Sequence, residues 1–509
     1  MAQKEIQKIG RRDFLTKGLI ASAGVLSMKS LLVPKALGAT SLFQNQQIEQ
    51  ADCLVLGAGM SGLCAARNLA FPKDHSPFKV IVLEASGGIG GRIFSINDPR
   101  FGKPMELGAQ YIHRKPGSVD LWEDLNRYDV QLKKVPRMLR GLMYVPGVRR
   151  PKSKEYMLPF KWNFKDILTF SKKIDSYRGP DISAKEWLDR QDYNHIGRGL
   201  VDLYFTGSMP GKLENMSVKG FASDKASLQE MEWYEYQIHG GFLSFIERFT
   251  FSDDYSKKLD IRYQSIVEQI KYGPDGVEIR VKGGKSYKAK TAIITFSVGV
   301  LKSGMIEFIP PLPKSKMDAL ECLGMGDEVK IILKFKKCFW GEKTAILNSI
   351  NTKRKTCRTF LIPGSGKKGE ENTILNALFA GEEADDIYGK SDESVISDIC
   401  SDLSEIFPNE GPIDQLLVQD SFGEYQYLRM QWRDNPYTLG ADSFLKAHSE
   451  RSVPIEKVRE KLASAHETPS LFWAGEATAS GDGIQPASTH GAHFAGNRAS
   501  KEVLSHLLS

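Results

Sequence analysis

A buried strand that runs straight into a glycine turn leaves a chain few folds to choose from. Ala51-Asp52-Cys53-Leu54-Val55-Leu56 reads as such a strand, and Gly57-Ala58-Gly59-Met60-Ser61-Gly62 follows it at once. Leu63 to Ala70 then has helical composition, and Lys79-Val80-Ile81-Val82-Leu83-Glu84 reads as a second buried strand closed by an acid. Strand, GxGxxG, helix, strand and acid, in that order, make up a nucleotide-binding βαβ unit. Gly57 permits the tight turn, Gly59 lets backbone approach a pyrophosphate, and Gly62 lets helix and strand pack closely. The helix N-terminus offers unpaired N–H groups to the phosphates. Glu84 is placed to accept hydrogen bonds from an adenosine ribose. It follows Gly57 by more than the usual ~20 residues, and the insertion Phe71–Phe78, with Pro72 and Pro77, accounts for the excess.

Directly after Glu84 comes Ala85-Ser86-Gly87-Gly88-Ile89-Gly90-Gly91-Arg92. An arginine behind two glycines places a guanidinium where backbone approaches closely, suited to a bidentate phosphate contact. Met105-Glu106-Leu107-Gly108-Ala109-Gln110-Tyr111-Ile112-His113 follows. Near the other end, Leu471-Phe472-Trp473-Ala474-Gly475-Glu476 is a buried strand running into Gly-Glu. A helix rich in small residues comes after it, with Gly491, Ala492, Ala495 and Gly496. Together these segments resemble the flavin-containing amine oxidase superfamily. The resemblance implies FAD, met by Gly57, Ala58, Gly59, Ser61, Gly62, Glu84, Ala85, Gly91, Arg92, Gly108, Ala109, Gln110, Val267, Gly475, Glu476, Ser488, Thr489 and Ala492. Family members with covalent flavin carry Cys where Ala441 stands, so the link here is expected to be non-covalent. It also implies a two-domain α/β fold. A Rossmann-type FAD-binding domain would assemble from 50–113, 238–297 and 424–507. An α+β substrate domain would take 114–237 and 298–423, with a helix Ile182–Arg190 and a sheet including Val329–Phe335.

The stretches Thr291–Thr295, Val298–Lys302 and Ile309-Pro310-Pro311-Leu312-Pro313 resemble most closely the polyamine oxidases and lysine-specific histone demethylases. In that branch a strand near Gly324-Met325-Gly326 delivers a lysine, here Lys330, that holds a water against flavin N5. Ile261–Ile270, centred on Val267, corresponds to a strand meeting adenine. Trp432, Asp442, Gln485 and His113 complete the implied amine pocket. Asp442 and Gln485 stand where many members have aromatics, so the usual aromatic sandwich is altered. Phe335, Phe339 and Trp340 read as core. A neutral amine with an α-hydrogen can give hydride to a flavin, so the pocket needs positioning and water exclusion and not a catalytic triad. The expected activity is oxidation of an amine, possibly a polyamine, to an imine or aldehyde, with oxygen or another acceptor taking the electrons. Two rivals remain open. An L-amino-acid oxidase would need an arginine for the substrate carboxylate, with Arg114 and Arg433 as candidates. A flavin-binding protein with little oxidase activity would fit the altered cage.

Charge and cysteine usage exclude other classes. The net charge is +7, and the first 38 residues hold seven Lys/Arg against Glu5 and Asp13. The near-neutral remainder gives no argument for nucleic acid. Six scattered cysteines form no CxxC and there is no HExxH, so no metal site is expected. Arg11-Arg12-Asp13-Phe14-Leu15-Thr16-Lys17, a short apolar run from Gly18 to Met28 and Ala36-Leu37-Gly38-Ala39 have the pattern of a twin-arginine export signal over 1–38. The run is too short for the ~20 residues that span a bilayer. The sequence-based expectation is therefore a periplasmic or secreted protein that uses the twin-arginine machinery, with no permanent membrane span.

Overall fold

The computed structural model describes residues 48–72, 76–113, 116–135, 141–145, 157–159, 164–224, 235–251, 259–351, 356–447, 452–481 and 484–509. The proposed export signal and Arg114 lie outside them. Among the described residues no helix is long and apolar enough to cross a membrane.

The glycine motif builds what its spacing predicts. Strand β1 (Glu49–Leu56) enters the turn, helix α1 (Met60–Ala70) leaves it, and strand β2 (Val80–Leu83) pairs parallel with β1. On its other side β1 pairs parallel with β3 (Ser286–Ile294). Leu56 is in register with both Leu83 and Ile294, so three parallel strands end together at Gly57, Glu84 and Thr295. Ligands of such sheets bind at this carboxyl edge. Asp260–Arg262 extends the parallel set beyond β2. An antiparallel pair, Val267–Gly273 and Gly276–Val281, runs onto the early half of β3, and Leu471–Trp473 pairs with its late half. The expected single strand Ile261–Ile270 is thus two strands, because Gln264 takes a left-handed φ of 55° between them. A non-glycine residue there turns the chain out of the sheet direction.

Alternation along these strands divides two cores. Cys53, Val55, Val80, Val82, Ile293 and Phe472 face α1 and the C-terminal helix α2 (Thr489–Leu508). Leu54, Leu56, Ile81, Leu83, Ile294 and Trp473 face the other way. Helices α1 and α2 approach closely because Gly496 lies on the Ser61 carbonyl, where any Cβ would collide.

A second, seven-stranded sheet runs Tyr427–Gln431, β4 (Glu328–Lys334), Ile374–Ala380, Thr356–Leu361, Ile346–Asn351, Gly141–Tyr144, Met157–Pro159. In β4, Val329, Ile331 and Leu333 pack into a core with the helix Asp392–Ile406. Period-2 alternation turns Lys330 to the opposite face. Phe335, Phe339 and Trp340 are buried in that same core, as expected. Three stretches cross the domain boundaries read from sequence. Tyr427–Gln431 joins the second sheet, whereas Glu307–Ile309 joins the first. The helix Leu121–Arg127 packs Leu121, Trp122 and Leu125 into the dinucleotide core.

That helix is tied to α2 by a buried ion pair, with His493 Nε2 2.8 Å from Asp124 Oδ2. Burial disfavours the charged imidazole, but the Cys64 sulfur and Asp124 outweigh it and push His493 up to about 10. An unfolded histidine titrates near ~6.5. The pair therefore contributes stability that is complete below about 6.5 and is lost as pH rises through about 10. Asp124→Asn is expected to lower unfolding free energy by roughly 3 kcal/mol near neutral pH. Denaturant unfolding of both proteins should show this gap closing as pH passes about 10. A gap that stays constant would mean that the contact is not ionic.

Candidate functional site

The carboxyl edge of the first sheet and the Lys330 face of the second enclose a cavity of about 870 Å³. This is the upper end of the ~300–1,000 Å³ typical of small-molecule sites. Every residue expected to meet the cofactor or the amine lines it, except Ala58 and Gly62. Those two act behind the wall. Ala58 N–H donates to Glu84 Oε2 at 2.6 Å and its carbonyl accepts from Gly90 N–H at 2.9 Å. Gly62 lies on the Gly57 carbonyl, with no room for a Cβ.

The walls themselves fit a dinucleotide. No side chain caps the first turn of α1, so its unpaired N–H groups are open to an anion at Gly59. Gly57 has φ +116°, a conformation that side chains rarely adopt, and Thr295 Oγ1 occupies the place of its missing Cβ. Glu84 is fixed by two backbone N–H groups, Ala58 and Ser86, at 2.6 and 2.8 Å. Its position at the end of β2 on the cavity wall suits a ribose.

The far wall is held by a chain of buried charges. Arg459 donates to both oxygens of Asp224, at 2.8 and 2.7 Å, and to Ser443 Oγ at 2.8 Å. Ser443 Oγ donates to Glu476 Oε2 at 2.6 Å, and Arg92 Nη1 donates to Glu476 Oε1 at 2.9 Å. Arg92 also donates to the Ala441 carbonyl at 2.6 Å and stands 3.5 Å from Asp442. Burial opposes the charge on Glu476, but Arg92 and Arg459 prevail and hold it below the usual carboxylate range. Ala487 N–H adds a further bond to Glu476 at 3.1 Å. Arg92, which keeps 24% side-chain exposure, is therefore aimed into the cavity by Glu476. At Asp442 burial dominates over the pull of Arg92, and the carboxyl is pushed up to about 7. Its side chain keeps 34% exposure and lines the cavity.

Lys330 joins the two halves. Its Nζ is buried and donates to the Gly108 carbonyl at 2.9 Å. Trp432 Nε1 donates to the neighbouring Leu107 carbonyl at 3.2 Å, which fixes the indole against the wall. His113 Nδ1 lies 2.7 Å from Glu235 Oε1, a partner not evident from sequence. Gln485 lines the cavity, and its carbonyl accepts from Ser488 Oγ, the N-cap of α2. Sequence reasoning also missed Asp224 and Arg459, which lie 235 residues apart and carry no motif, and gave Ser443 no role of its own. The one signal was the Gly-Glu step that places Glu476.

Arg433 is not a substrate arginine. Its guanidinium pairs with Asp327 and Asp385 and stacks 4.8 Å from the Tyr388 ring centroid. Among the described residues it is absent from the cavity wall. No group of His, Cys, Asp and Glu among them could hold a metal ion.

The model of the family described as flavin containing amine oxidoreductase matches residues 60–504. Polyamine oxidase 2 of Arabidopsis thaliana is 28% identical over 479 residues, covering 90% of this chain and 89% of that protein. Lysine-specific histone demethylase 1 homolog 2 of Oryza sativa subsp. japonica is 27% identical, covering 89% of this chain and 57% of that protein. Among solved structures, a single-site mutant of putrescine oxidase and cyclohexylamine oxidase from Brevibacterium oxydans IH-35A each align with a TM-score of 0.70 at 17% identity. Both alignments cover 90% of this chain and 100% of the other. Dinucleotide edge, buried lysine and family match agree: this chain belongs to the flavin-containing amine oxidoreductases and is an FAD-dependent enzyme acting on amines.

Proposed function

We propose that the protein oxidises an aliphatic amine carrying a second nitrogen, a diamine or polyamine, through a non-covalently held FAD. The observation that carries this reading is Lys330, a buried ammonium fixed on the Gly108 carbonyl where the cofactor wall meets the substrate wall. Bound FAD supplies a hydride acceptor, and the chain supplies placement, dryness and charge. Lys330 holds a water toward the reacting nitrogen of the ring. Trp432, pinned to the Leu107 carbonyl, shapes the face on which the amine rests. An amine must be uncharged to release hydride, and burial of the reacting nitrogen beside the bound cofactor favours that form. The resulting imine hydrolyses to an aldehyde, and hydrogen peroxide follows where oxygen is the acceptor.

The charges on the wall favour amines over amino acids. Besides Glu84 and Glu476, the carboxylates of Glu235, Glu328 and Asp442 line the cavity. Of the two arginines proposed for a substrate carboxylate, Arg433 is engaged by Asp327 and Asp385, and Arg114 lies outside the described residues. The similarity to plant polyamine oxidases supports the same substrate class. Export of the folded holoprotein by the twin-arginine route, into the periplasm or beyond, is part of the proposal and rests on residues 1–38 alone.

Three outcomes test it. Acid precipitation should release yellow FAD into the supernatant, because Ala441 offers no sulfur for a covalent bond. Flavin left in the pellet would overturn this point. Lys330→Met should retain FAD while slowing reduction or reoxidation, or both, by about tenfold to a hundredfold, the scale of one charged hydrogen bond. Stopped-flow absorbance reads both half-reactions, and unchanged rates would dismiss the role of Lys330. Asp442, raised to about 7, is ionised only above that pH. Asp442→Asn should therefore lower kcat/KM for a diamine above pH about 7, converge with the parent enzyme below it, and spare a monoamine of equal length.

A further inference from the structure

The floor of the substrate half is a single transverse row of the second sheet. Register places Met430 beside Lys330, Lys330 beside Leu378, Leu378 beside Thr359, Thr359 beside Asn348, and Asn348 beside Met143. All six side chains line the cavity. Neighbouring strands lie about 4.8 Å apart, so Thr359 is about 10 Å and Asn348 about 14 Å from Lys330 along the row. Apart from Lys330, these two are the polar members of the row.

Their chemistry is specific. Thr359 Oγ1 donates to Asn348 Oδ1 at 2.9 Å. That leaves the Asn348 amide N–H groups and the Thr359 lone pairs for the cavity. Asn348 is only 5% exposed, and an amide in an apolar cavity needs a partner. Neither residue carries charge. The parallel row on one side, Asn376, Leu361 and Ile346, has no charged member either. On the other side Glu328 lies at the Lys330 end, two residues before it in β4, while Cys357, two residues before Thr359, has Glu383 and Asp202 behind it, outside the cavity wall.

We infer that Asn348 and Thr359 form a specificity station for the far end of the substrate, and that the group they accept is uncharged, a hydroxyl or an amide. This deepens the amine-oxidase reading and rests on it. Carboxylates near Lys330 attend a nitrogen close to the reacting one. An ammonium at the far station would lose its water and find no counter-charge in the row. A hydroxyl or amide both donates and accepts, which matches the pair.

The test uses the FAD-loaded protein and three amines of one chain length, ending in methyl, in a primary amide and in an ammonium. Asn348→Leu combined with Thr359→Val replaces both polar partners by apolar groups of similar shape, which leaves no orphan behind. Bound flavin and turnover of the methyl-ended amine report that the variant is intact. The amide-ended amine is expected to lose roughly tenfold or more in kcat/KM, mainly through KM, with the methyl-ended one unchanged. An equal loss on all three would make the pair mere packing, and a loss confined to the diamine would make it a cation site. Either result overturns the inference. Titrating the flavin spectrum with an alkyl amide that lacks the amine reads the same contact without turnover. Weaker binding of that amide to the variant is expected, and equal binding overturns the inference. Failure of amine oxidation itself would then register separately.

Discussion

A buried line of charge runs from Asp224 through Arg459 and Glu476 to Arg92, with the partly exposed Asp442 at its open end, and it fixes the far wall of the cavity. Its members come from the helix Val218–Asp224, the helix Val458–Ala463, the turn after Leu471–Trp473, the glycine loop after β2 and the segment before Ser443–Leu445. Removing one member would leave its partner charged and out of water, a loss of about 3–5 kcal/mol. The line thus ties the helical part of the substrate half to the cofactor wall, and it sets the direction of Arg92. Such networks are weak as general stabilisers but strong as constraints on geometry.

Much of the cofactor half was legible in the sequence because its chemistry is local. Gly57, Gly62 and Glu84 act within one βαβ unit, and their spacing is read along the chain. Lys330 came from the family resemblance alone, which implies a lysine on a strand near Gly324-Met325-Gly326. Distant pairings were not legible. Arg459 and Asp224 meet across 235 residues, and His113 meets Glu235 across 122. Neither pair has a pattern that announces it. The strand break at Gln264 also escaped, since a left-handed glutamine has no compositional mark. The apolar alternation around it continues on both sides.

The substrate half was thin in sequence for a related reason. A sheet row is made of residues from six strands, and its composition follows from register, which sequence does not state. Thr359 and Asn348 look like ordinary strand residues in isolation. Their meaning arises only when Leu378 and Lys330 are set beside them.

The place of the strand Leu471–Trp473 bears on how the enzyme is made. It completes the late half of β3, and the turn behind it supplies Gly475 and Glu476 to the cofactor wall. A nascent chain can form β1, α1 and β2 early, but the late half of β3 stays unpaired until this strand arrives. The half-built sheet must therefore survive with an unpaired edge until nearly the whole chain has been made. A chain truncated before Leu471 would keep its nucleotide signature and still lack the part of the cavity wall made by Gly475 and Glu476.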